Sequence, residues 1–388
     1  MLETAPSDRA PAAPFAGLVV VELGHSVAAP FAGQILGELG AQVIKIEKAD
    51  GDDARKWGPP FWEGASAFFQ ALNRNKQSVV CELRDPVQLD ALKQLIIDKA
   101  DVVIQNLRPG HVEKLGLDGP GLLQLKPSLI YCNLGAFGAT GPLKDRPGYD
   151  PLMQAFGGIM STTGELGRPS VRVGASIVDM GTGMWAVIGL LAALHERHAS
   201  GKGRVVDVSL FETATCWVSL LAAQYLASGQ LAGKQGSGAP GIAPYKAYAT
   251  SDGEIVVAAG SDVLFRSLAG ALGRPEWQTD PRFTSNPDRV TNQVALYAMI
   301  DALIAQQTTA HWINCLEAVG VPCSPVNDLA QMLVHPQTSA LGLVQEVPGT
   351  GMSFVGLPMS FDGQRPQPTS APPKLGEHNT LLSIKNNT

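Results

Sequence analysis

The 388-residue sequence has little cysteine, and this scarcity excludes one large class of protein. Its five cysteines are odd in number, widely scattered and never paired as C-x-x-C; they are Cys81, Cys132, Cys216, Cys315 and Cys323. Such a pattern excludes a disulfide framework and argues against a zinc site. We therefore expect a reducing, cytoplasmic location and no bound metal.

Basic charge and long apolar runs are also scarce. Lysine and arginine number 29 against 35 acidic residues, a net charge of -6, so nothing attracts nucleic acid or anionic membrane in general. We find no apolar run near the ~20 residues that a membrane helix needs, and Met1–Phe15 lacks the order of a secretory signal. A polyanionic ligand would have to meet a local basic patch.

The first half of the chain predicts a doubly wound α/β domain. The β-branched run Val19–Leu23 predicts a buried strand, Pro30 to Leu39 a helix ending at Gly40, and Val43–Ile46 a second strand. This βαβ order favours a parallel sheet with right-handed crossovers. The alternation continues with predicted strands at Ser78–Leu83, Val102–Gln105 and Ser128–Leu134, and a predicted helix at Gln88–Ala100.

The length favours two domains, and the pattern changes near Ser228. Pro244–Thr250, an Asp252-Gly253 turn and Glu254–Ala259 predict an antiparallel hairpin. Predicted helices follow at Val263–Leu272, Gln293–Gln306 and Ala310–Val319. We therefore expect a large Rossmann-like domain over 1–227, a smaller α+β domain over 228–330, and a segment over 331–388 that returns to the large domain.

The residues Val171–Val178 predict a strand or an extended run, and Asp179 stands where this run turns into an apolar helix. A carboxylate at a helix N-terminus meets free backbone NH groups and the positive end of the dipole, which favour its ionised form. Gly181 and Gly183 would let a bulky ligand approach, and nearby amides could stabilise an oxyanion. The alternative is purely structural, because aspartate is among the commonest N-caps.

Several stretches along nearly the whole chain resemble the class III CoA-transferase family, which includes formyl-CoA transferases and carnitine and bile-acid CoA-transferases. Their motifs are specific in combination. They are Gly17–Leu23, Leu39–Glu47, Leu72–Lys76, Gln105–Gly110, Gly138–Pro142, Arg146–Asp150, Val178–Met184 and Pro373–His378.

The resemblance implies an inserted small domain, two subunits threaded as interlocked rings, and CoA and acyl-CoA as substrates without a tightly bound cofactor. The aspartate matching Asp179 would attack an acyl-CoA thioester and form first a mixed anhydride and then an aspartyl-CoA thioester. The incoming carboxylic acid would open that thioester and take over the CoA. The homodimer is the expected protein partner.

The resemblance also carries over CoA-binding positions. Val27 and Ala28 match positions lining the CoA site, and Asn106 and Leu107 match an Asn-Phe pair, with leucine replacing the aromatic residue. The cations that fall at or beside nucleotide and phosphate positions are Lys48, Arg84, Lys114 and Arg146, and Tyr149 lies in the same motif as Arg146. Turn packing and solvated surface charge are the alternatives for these residues.

Two further features bear on the choice of acid. The loop with Gly236, Gly238 and Gly241 lies where formyl-CoA transferases have a glycine run that closes over intermediates, but Pro240 stiffens it here, which disfavours oxalate as acceptor. An ordinary interdomain turn is the alternative. We expect succinyl-CoA as donor and a small dicarboxylic or related acid as acceptor, with Arg172 either binding the distal carboxylate or forming a structural ion pair.

Three other functions are alternatives to CoA transfer. A 2-methylacyl-CoA racemase of the same superfamily would have Gly-His-Asp where this chain has Gly148-Tyr149-Asp150, and tyrosine is a poor base at neutral pH. A nicotinamide-dependent dehydrogenase would place Glu47 on a ribose, but the turn from Gly24 to Ala29 lacks the G-x-G-x-x-G fingerprint. A non-catalytic CoA-binding protein would tolerate replacement of Asp179.

Overall fold

The computed structural model describes residues 13–382, which form two compact units. Unit 1 contains the residues up to Gly158, Val173–Ser219 and those from Pro336 onward, and unit 2 contains Ile159–Arg172 and Leu220–His335. The predicted domain boundaries, 1–227, 228–330 and 331–388, are not identical to this division and remain predictions. Most of the N-terminal arm, Met1–Phe15, lies outside the described residues.

The elements are numbered in chain order. The strands are β1 (Val19–Leu23), β2 (Gln42–Glu47), β3 (Phe61–Trp62), β4 (Ala65–Ser66), β5 (Lys76–Val80), β6 (Val102–Gln105), β7 (Ile130–Gly135), β8 (Val205–Ser209), β9 (Tyr245–Ala249), β10 (Glu254–Ala258), β11 (Cys323–Pro325), β12 (Val344–Glu346) and β13 (Ser353–Val355). The α-helices are α1 (Ala28–Glu38), α2 (Ala67–Asn73), α3 (Pro86–Lys99), α4 (His111–Leu115), α5 (Gly119–Leu125), α6 (Asp150–Phe156), α7 (Ile159–Thr162), α8 (Ile177–Ser200), α9 (Leu210–Trp217), α10 (Ser219–Ser228), α11 (Asp262–Ala271), α12 (Asn286–Thr291), α13 (Gln293–Ile304), α14 (Thr309–Glu317), α15 (Leu329–Val334) and α16 (Pro336–Ala340).

A six-stranded sheet in the order β5-β2-β1-β6-β7-β8 forms the centre of unit 1, and each neighbouring pair is parallel. The order reverses between β1 and β6, so the predicted parallel α/β sheet is confirmed. The first βαβ unit forms as expected, because Pro30 lies in the first turn of α1 and Gly40 takes a positive φ of 100° after its end. The C-terminal ends of β1 and β6 therefore meet at a topological switch point, where such sheets bind ligands.

The C-terminal part of unit 1 packs on the edge of this sheet near β5. The side-chain oxygen of Asn75 accepts hydrogen bonds from the backbone of Thr369 and Ser370 at 2.8 and 2.9 Å. Arg74, which is almost fully buried, donates to the carbonyl of Val355 at 3.0 Å and pairs with Glu38. The last described residues are thus an integral part of unit 1.

Unit 2 contains the antiparallel sheet β11-β10-β9 and its surrounding helices. Tyr248 and Ile255 from the hairpin pack with Phe265, Ile300 and Trp312 in one apolar core. The predicted hairpin and its three following helices are confirmed as β9, β10, α11, α13 and α14. This unit has the α+β composition expected of the smaller domain.

Two expectations differ from the structure here: a strand was one of the two alternatives for Val171–Val178, and no apolar segment was expected to reach the length of a membrane helix. Residues 171–176 form no strand, because no neighbouring strand pairs with them, and the helix begins at Ile177. Among residues 13–382, α8 alone is long and apolar enough to cross a bilayer. Its buried face, including Ala186 and Leu190, instead packs along α1, as a core helix of a globular domain would.

Candidate active site

A cleft of about 1010 Å³ opens in unit 1 at the C-terminal ends of the parallel strands. All six strands contribute to its lining through their last residues or those directly following. These are Leu23 for β1, Glu47 for β2, Cys81 for β5, Asn106 for β6, Gly135 for β7 and Leu210 for β8. The position is the one that the switch point predicts for a ligand site.

The turn between β1 and α1 forms one wall of the cleft, and it includes the predicted residues Val27 and Ala28. Ser26 adopts a positive φ of 67°, which is uncommon for a residue with a side chain. The side chain of Asn106 bonds both backbone groups of His25, accepting from its NH at 3.0 Å and donating to its carbonyl at 2.9 Å. Both Asn106 and Leu107 line the cleft, and their contact with CoA stays a prediction.

Asp179 lies in the first turn of α8 and lines the same cleft. The N-cap position belongs to Ser176, so Asp179 is not the structural N-cap of this helix. Within residues 13–382, no group donates a hydrogen bond to the Asp179 carboxyl. A carboxyl group that faces a cleft without a donor is available for chemistry with a ligand.

Asp150, not Asp179, bonds the free amides at the start of α8. The buried Asp150 carboxylate accepts from the backbone NH of Val178 at 2.8 Å and of Asp179 at 3.3 Å. Its other oxygen accepts from the Gln154 amide at 2.6 Å. The orphan amides at the helix start therefore stabilise the charge of Asp150.

This arrangement reverses the expected acidity of Asp179. Burial, together with the nearby negative charge of Asp150, raises the pKa of Asp179 to about 7. The expected stabilisation by free helix amides is lost because Asp150 occupies them. Near neutral pH the Asp179 carboxyl is consequently a mixture of acid and carboxylate, with a more basic carboxylate than an ordinary aspartate has.

The two glycines after Asp179 serve helix packing. A Cβ on Gly181 would lie 2.8 Å from the Trp217 ring, and one on Gly183 would lie 2.7 Å from the carbonyl oxygen of Ala28. Both glycines are buried, so the prediction that they admit a bulky ligand was wrong. Gly183 instead lets the first turn of α1 come close to α8, one helical turn after Asp179.

Four cationic side chains line the cleft, of which Lys48, Arg84 and Arg146 were predicted and Arg108 was not. Lys48 already bonds Asp53 at 2.8 Å, and this bond raises its pKa. Arg84, Arg108 and Arg146 form no ion pair with any residue in the described part of the chain. These arginines are thus better placed than Lys48 to meet an anionic ligand.

The other predicted positions divide between the cleft and the rest of the chain. Tyr149 lines the cleft with 56% of its surface exposed. Lys114, in α4, is not among the residues that line it. Arg172 and the three loop glycines belong to unit 2.

The loop of Gly236, Gly238 and Gly241 is attached to neighbouring residues of unit 2. Gly236 donates its NH to the Gly164 carbonyl at 3.0 Å and packs against Glu165, and Asn286 donates to the Gly241 carbonyl at 2.9 Å. Whether the loop acts as a lid stays a prediction.

Several residues that line the cleft were not predicted from the sequence. They are His25, Trp57, Phe68, Arg108 and His111. Burial lowers the pKa of His25, so this imidazole is neutral at pH 7. Arg108 lies inside the quoted Gln105–Gly110 motif, so its position after a predicted strand could have marked it.

Glu47 does not have the freedom that the dehydrogenase alternative requires. One carboxylate oxygen accepts from Ser78 at 2.6 Å and from Arg55 at 2.7 Å. The other accepts from Arg55 at 2.8 Å and from the Asp52 amide at 2.9 Å. With both oxygens bonded inside the protein, Glu47 is a structural residue and offers nothing to a ribose.

Comparison with known proteins agrees with this geometry. The family model described as CoA-transferase family III matches residues 15–379. The acetyl-CoA:oxalate CoA-transferase of Acetobacter aceti is 36% identical over 98% of this chain and 97% of its own. The human succinyl-CoA:glutarate CoA-transferase is 34% identical over 97% of this chain and 86% of its own.

A solved structure gives the same result. The crystal structure of a CAIB/BAIF family protein from Brucella suis superposes with a TM-score of 0.86 at 38% identity, covering 95% of this chain and 98% of that one. The chain belongs to CoA-transferase family III. It is an enzyme that transfers CoA from an acyl-CoA to a carboxylic acid, and the predicted family and function are confirmed.

Proposed function

We propose that Asp179 is the covalent nucleophile of this CoA transfer. The observation that carries the proposal is a cleft-lining carboxyl group without a hydrogen-bond donor among the described residues, whose pKa is raised to about 7. Once ionised, a more basic carboxylate is also the stronger nucleophile. Near pH 7 about half of the molecules hold the reactive form.

The reaction consists of two matched halves. The carboxylate of Asp179 attacks the thioester carbonyl, the C–S bond breaks, and a mixed anhydride and CoA thiolate form. The thiolate then attacks the Asp179 acyl carbon, which releases the donor acid and leaves an aspartyl-CoA thioester. The acceptor carboxylate repeats these steps in reverse, so that a new acyl-CoA leaves and the aspartate carboxylate is restored.

The cations of the cleft support a site for the anionic part of CoA. Arg84, Arg108 and Arg146 have their guanidinium groups available among the described residues, and phosphate is a preferred partner of arginine. The cleft also has apolar lining residues, which come from the turns after β1 and β6; they are Val27, Ala28 and Leu107. Lys114 stays a weaker candidate, because it does not line the cleft.

The acids exchanged are proposed from the relatives. The human relative is named for succinyl-CoA and glutarate, whereas the Acetobacter relative is named for acetyl-CoA and oxalate. We assign succinyl-CoA as donor and a small dicarboxylic acid as acceptor, and Arg172 of unit 2 stays a prediction, either as the partner of the distal carboxylate or as a structural ion-pair residue. A panel of CoA esters against free acids tests this, and unchanged acceptor preference in Arg172→Ala would remove Arg172 from the site.

A homodimer, with subunits interlocked as the family resemblance implies, is part of the proposal. One face of α8 exposes Met184, Trp185, Ile188 and Leu191 in the isolated chain, each by 39% or more. An apolar stripe of this kind favours burial against a partner. Light scattering should give twice the chain mass for wild type, and Ile188→Glu should lower it; a monomeric wild type would contradict the dimer.

The proposed location is the cytoplasm. All five cysteines are free thiols, and Cys81 and Cys132 are buried. Free thiols suit a reducing compartment. Fractionation of producing cells, with activity measured in each fraction, tests this assignment.

Trapping of the acyl-enzyme tests the covalent role directly. Wild type incubated with succinyl-CoA and hydroxylamine should yield a hydroxamate on Asp179, located by peptide mass spectrometry. Glu82→Gln, which alters an exposed carboxylate of the same cleft, is the matched control and should still be trapped. CoA exchange that persists in Asp179→Asn at the wild-type rate would overturn the proposal.

A further inference from the structure

The turn Gly24–Ser26 is held by side chains from three distant parts of unit 1. Lys45 of β2 donates to the Gly24 carbonyl at 2.7 Å, and Asp52 accepts from the Ser26 NH at 3.2 Å. Asn106 bonds both the NH and the carbonyl of His25 at 3.0 and 2.9 Å. Four consecutive backbone polar groups of one cleft wall therefore have side-chain partners, and the conformation of the wall depends on them.

The Lys45 and Asp52 side chains are themselves fixed by buried charge. Lys45 lies 2.9 Å from both Glu22 and Asp52, and the side chains of Lys45 and Glu22 are fully buried. The Glu22 carboxylate also forms an ion pair with Lys76, whose Nζ lies 2.8 Å from Glu22 Oε2. A buried group of two lysines and two carboxylates has little freedom to rearrange, because each charge would lose its partner.

We propose that Asn106, Lys45 and Asp52 form a turn clamp that positions the cleft wall from His25 to Ala28 for reaction at Asp179. The inference rests on the proposed covalent role of Asp179 and goes beyond it. Asn106 thereby acts as a positioning residue, since both ends of its amide are engaged by His25. Its influence on CoA is indirect, in contrast to the direct contact that the resemblance implied.

The strained residue of the turn supports this role. Ser26 holds a positive φ of 67° beside the Asp52 bond, and it lines the cleft with His25. A non-glycine residue keeps such a conformation only where its surroundings impose it. Loss of the clamp should let the turn relax and displace the wall relative to the carboxyl group of Asp179.

Kinetics on clamp variants test the proposal. Asn106→Ala should lower kcat by roughly 10- to 100-fold with succinyl-CoA, because small misplacements of a reactive site have effects of this size. KM for the CoA ester should change less than about threefold. Asn106→Asp keeps the acceptor for the His25 NH and should recover part of the loss. Asn106→Ala combined with Asp52→Ala should be no slower than the slower single variant.

Controls separate the clamp from general destabilisation. Asn292→Ala removes an amide that bonds the Arg282 and Asp288 carbonyls outside the cleft, and it should keep wild-type kcat. If Asn106→Ala does not fold, Asn106→Asp and Asp52→Asn provide the same comparison. A raised KM with unchanged kcat, or losses that multiply in the double variant, would overturn the clamp. A wild type that forms no adduct with succinyl-CoA would refute the proposed function instead.

Discussion

Replacing Asp179 by asparagine should stabilise the folded chain at neutral and alkaline pH. The pKa of Asp179 rises from its usual 3.8 to about 7 on folding, because of burial and the charge of Asp150. A raised carboxyl pKa contributes stability that is complete below pH 3.8 and is lost as pH rises to about 7. The amide of Asp179→Asn carries no charge and avoids this loss.

The size of the effect follows from the two pKa values. Each pH unit between them corresponds to about 1.4 kcal/mol, so the ceiling is roughly 4 kcal/mol above pH 7. Because Asp179 is only partly buried, solvent screening reduces our expectation to about 2 kcal/mol. For a large domain this corresponds to a melting temperature roughly 4–8 °C above wild type.

Thermal unfolding of both proteins between pH 4 and pH 9 provides the assay. The difference in melting temperature should be near zero at pH 4, grow up to about pH 7 and then remain constant. Asp145→Asn, a change at another aspartate outside the cleft lining, is the control and should show no such trend. A variant that is less stable than wild type at pH 8 would mean that helix amides do stabilise the Asp179 carboxylate.

Other predictions concern catalysis, CoA binding and packing. Acylation of Asp179 by a CoA ester should accelerate as pH rises through about 7 and then level off, and a stopped-flow profile that is flat from pH 5 to 9 would contradict its raised pKa. By calorimetry, Arg108→Ala should weaken CoA binding about tenfold and Lys48→Ala less than threefold, because the lysine is already paired; equal losses would refute this. Gly183→Ala should cost about 2 kcal/mol in denaturant unfolding, since its Cβ would lie 2.7 Å from a carbonyl oxygen, whereas Gly174→Ala has open space and should be neutral.

Local patterns in the sequence predicted much of the fold. The run Val19–Leu23 and the glycine at position 40 define β1 and the end of α1, because buried strands and left-handed helix ends have strong local signals. The run Val171–Val178 has similar residues but pairs with no strand. Local β-propensity does not indicate whether a neighbouring strand is available for pairing. The edge strand β8, Val205–Ser209, was not predicted although three of its five residues are valines.

The candidate site was predictable only in part, for a physical reason. Asp179 was identified from its motif and its place at a helix start, and it lines the cleft together with several of the other predicted residues. Its acidity was mispredicted because Asp150, 29 residues earlier in the chain, occupies the helix amides. His25 was not predicted because only the strand order brings its turn to this edge of the sheet, whereas Arg108 follows a predicted strand and could have been identified.

The cap supplied by Asp150 links the nucleophile to a cleft-lining loop. Tyr149, directly before Asp150 in the chain, is exposed in the cleft. The Asp150 carboxylate in turn accepts hydrogen bonds from Val178 and Asp179, so the loop before α6 is bonded directly to the first turn of α8. Two walls of one cleft are therefore joined by hydrogen bonds, and the spacing between Tyr149 and the Asp179 carboxyl is set by the protein itself.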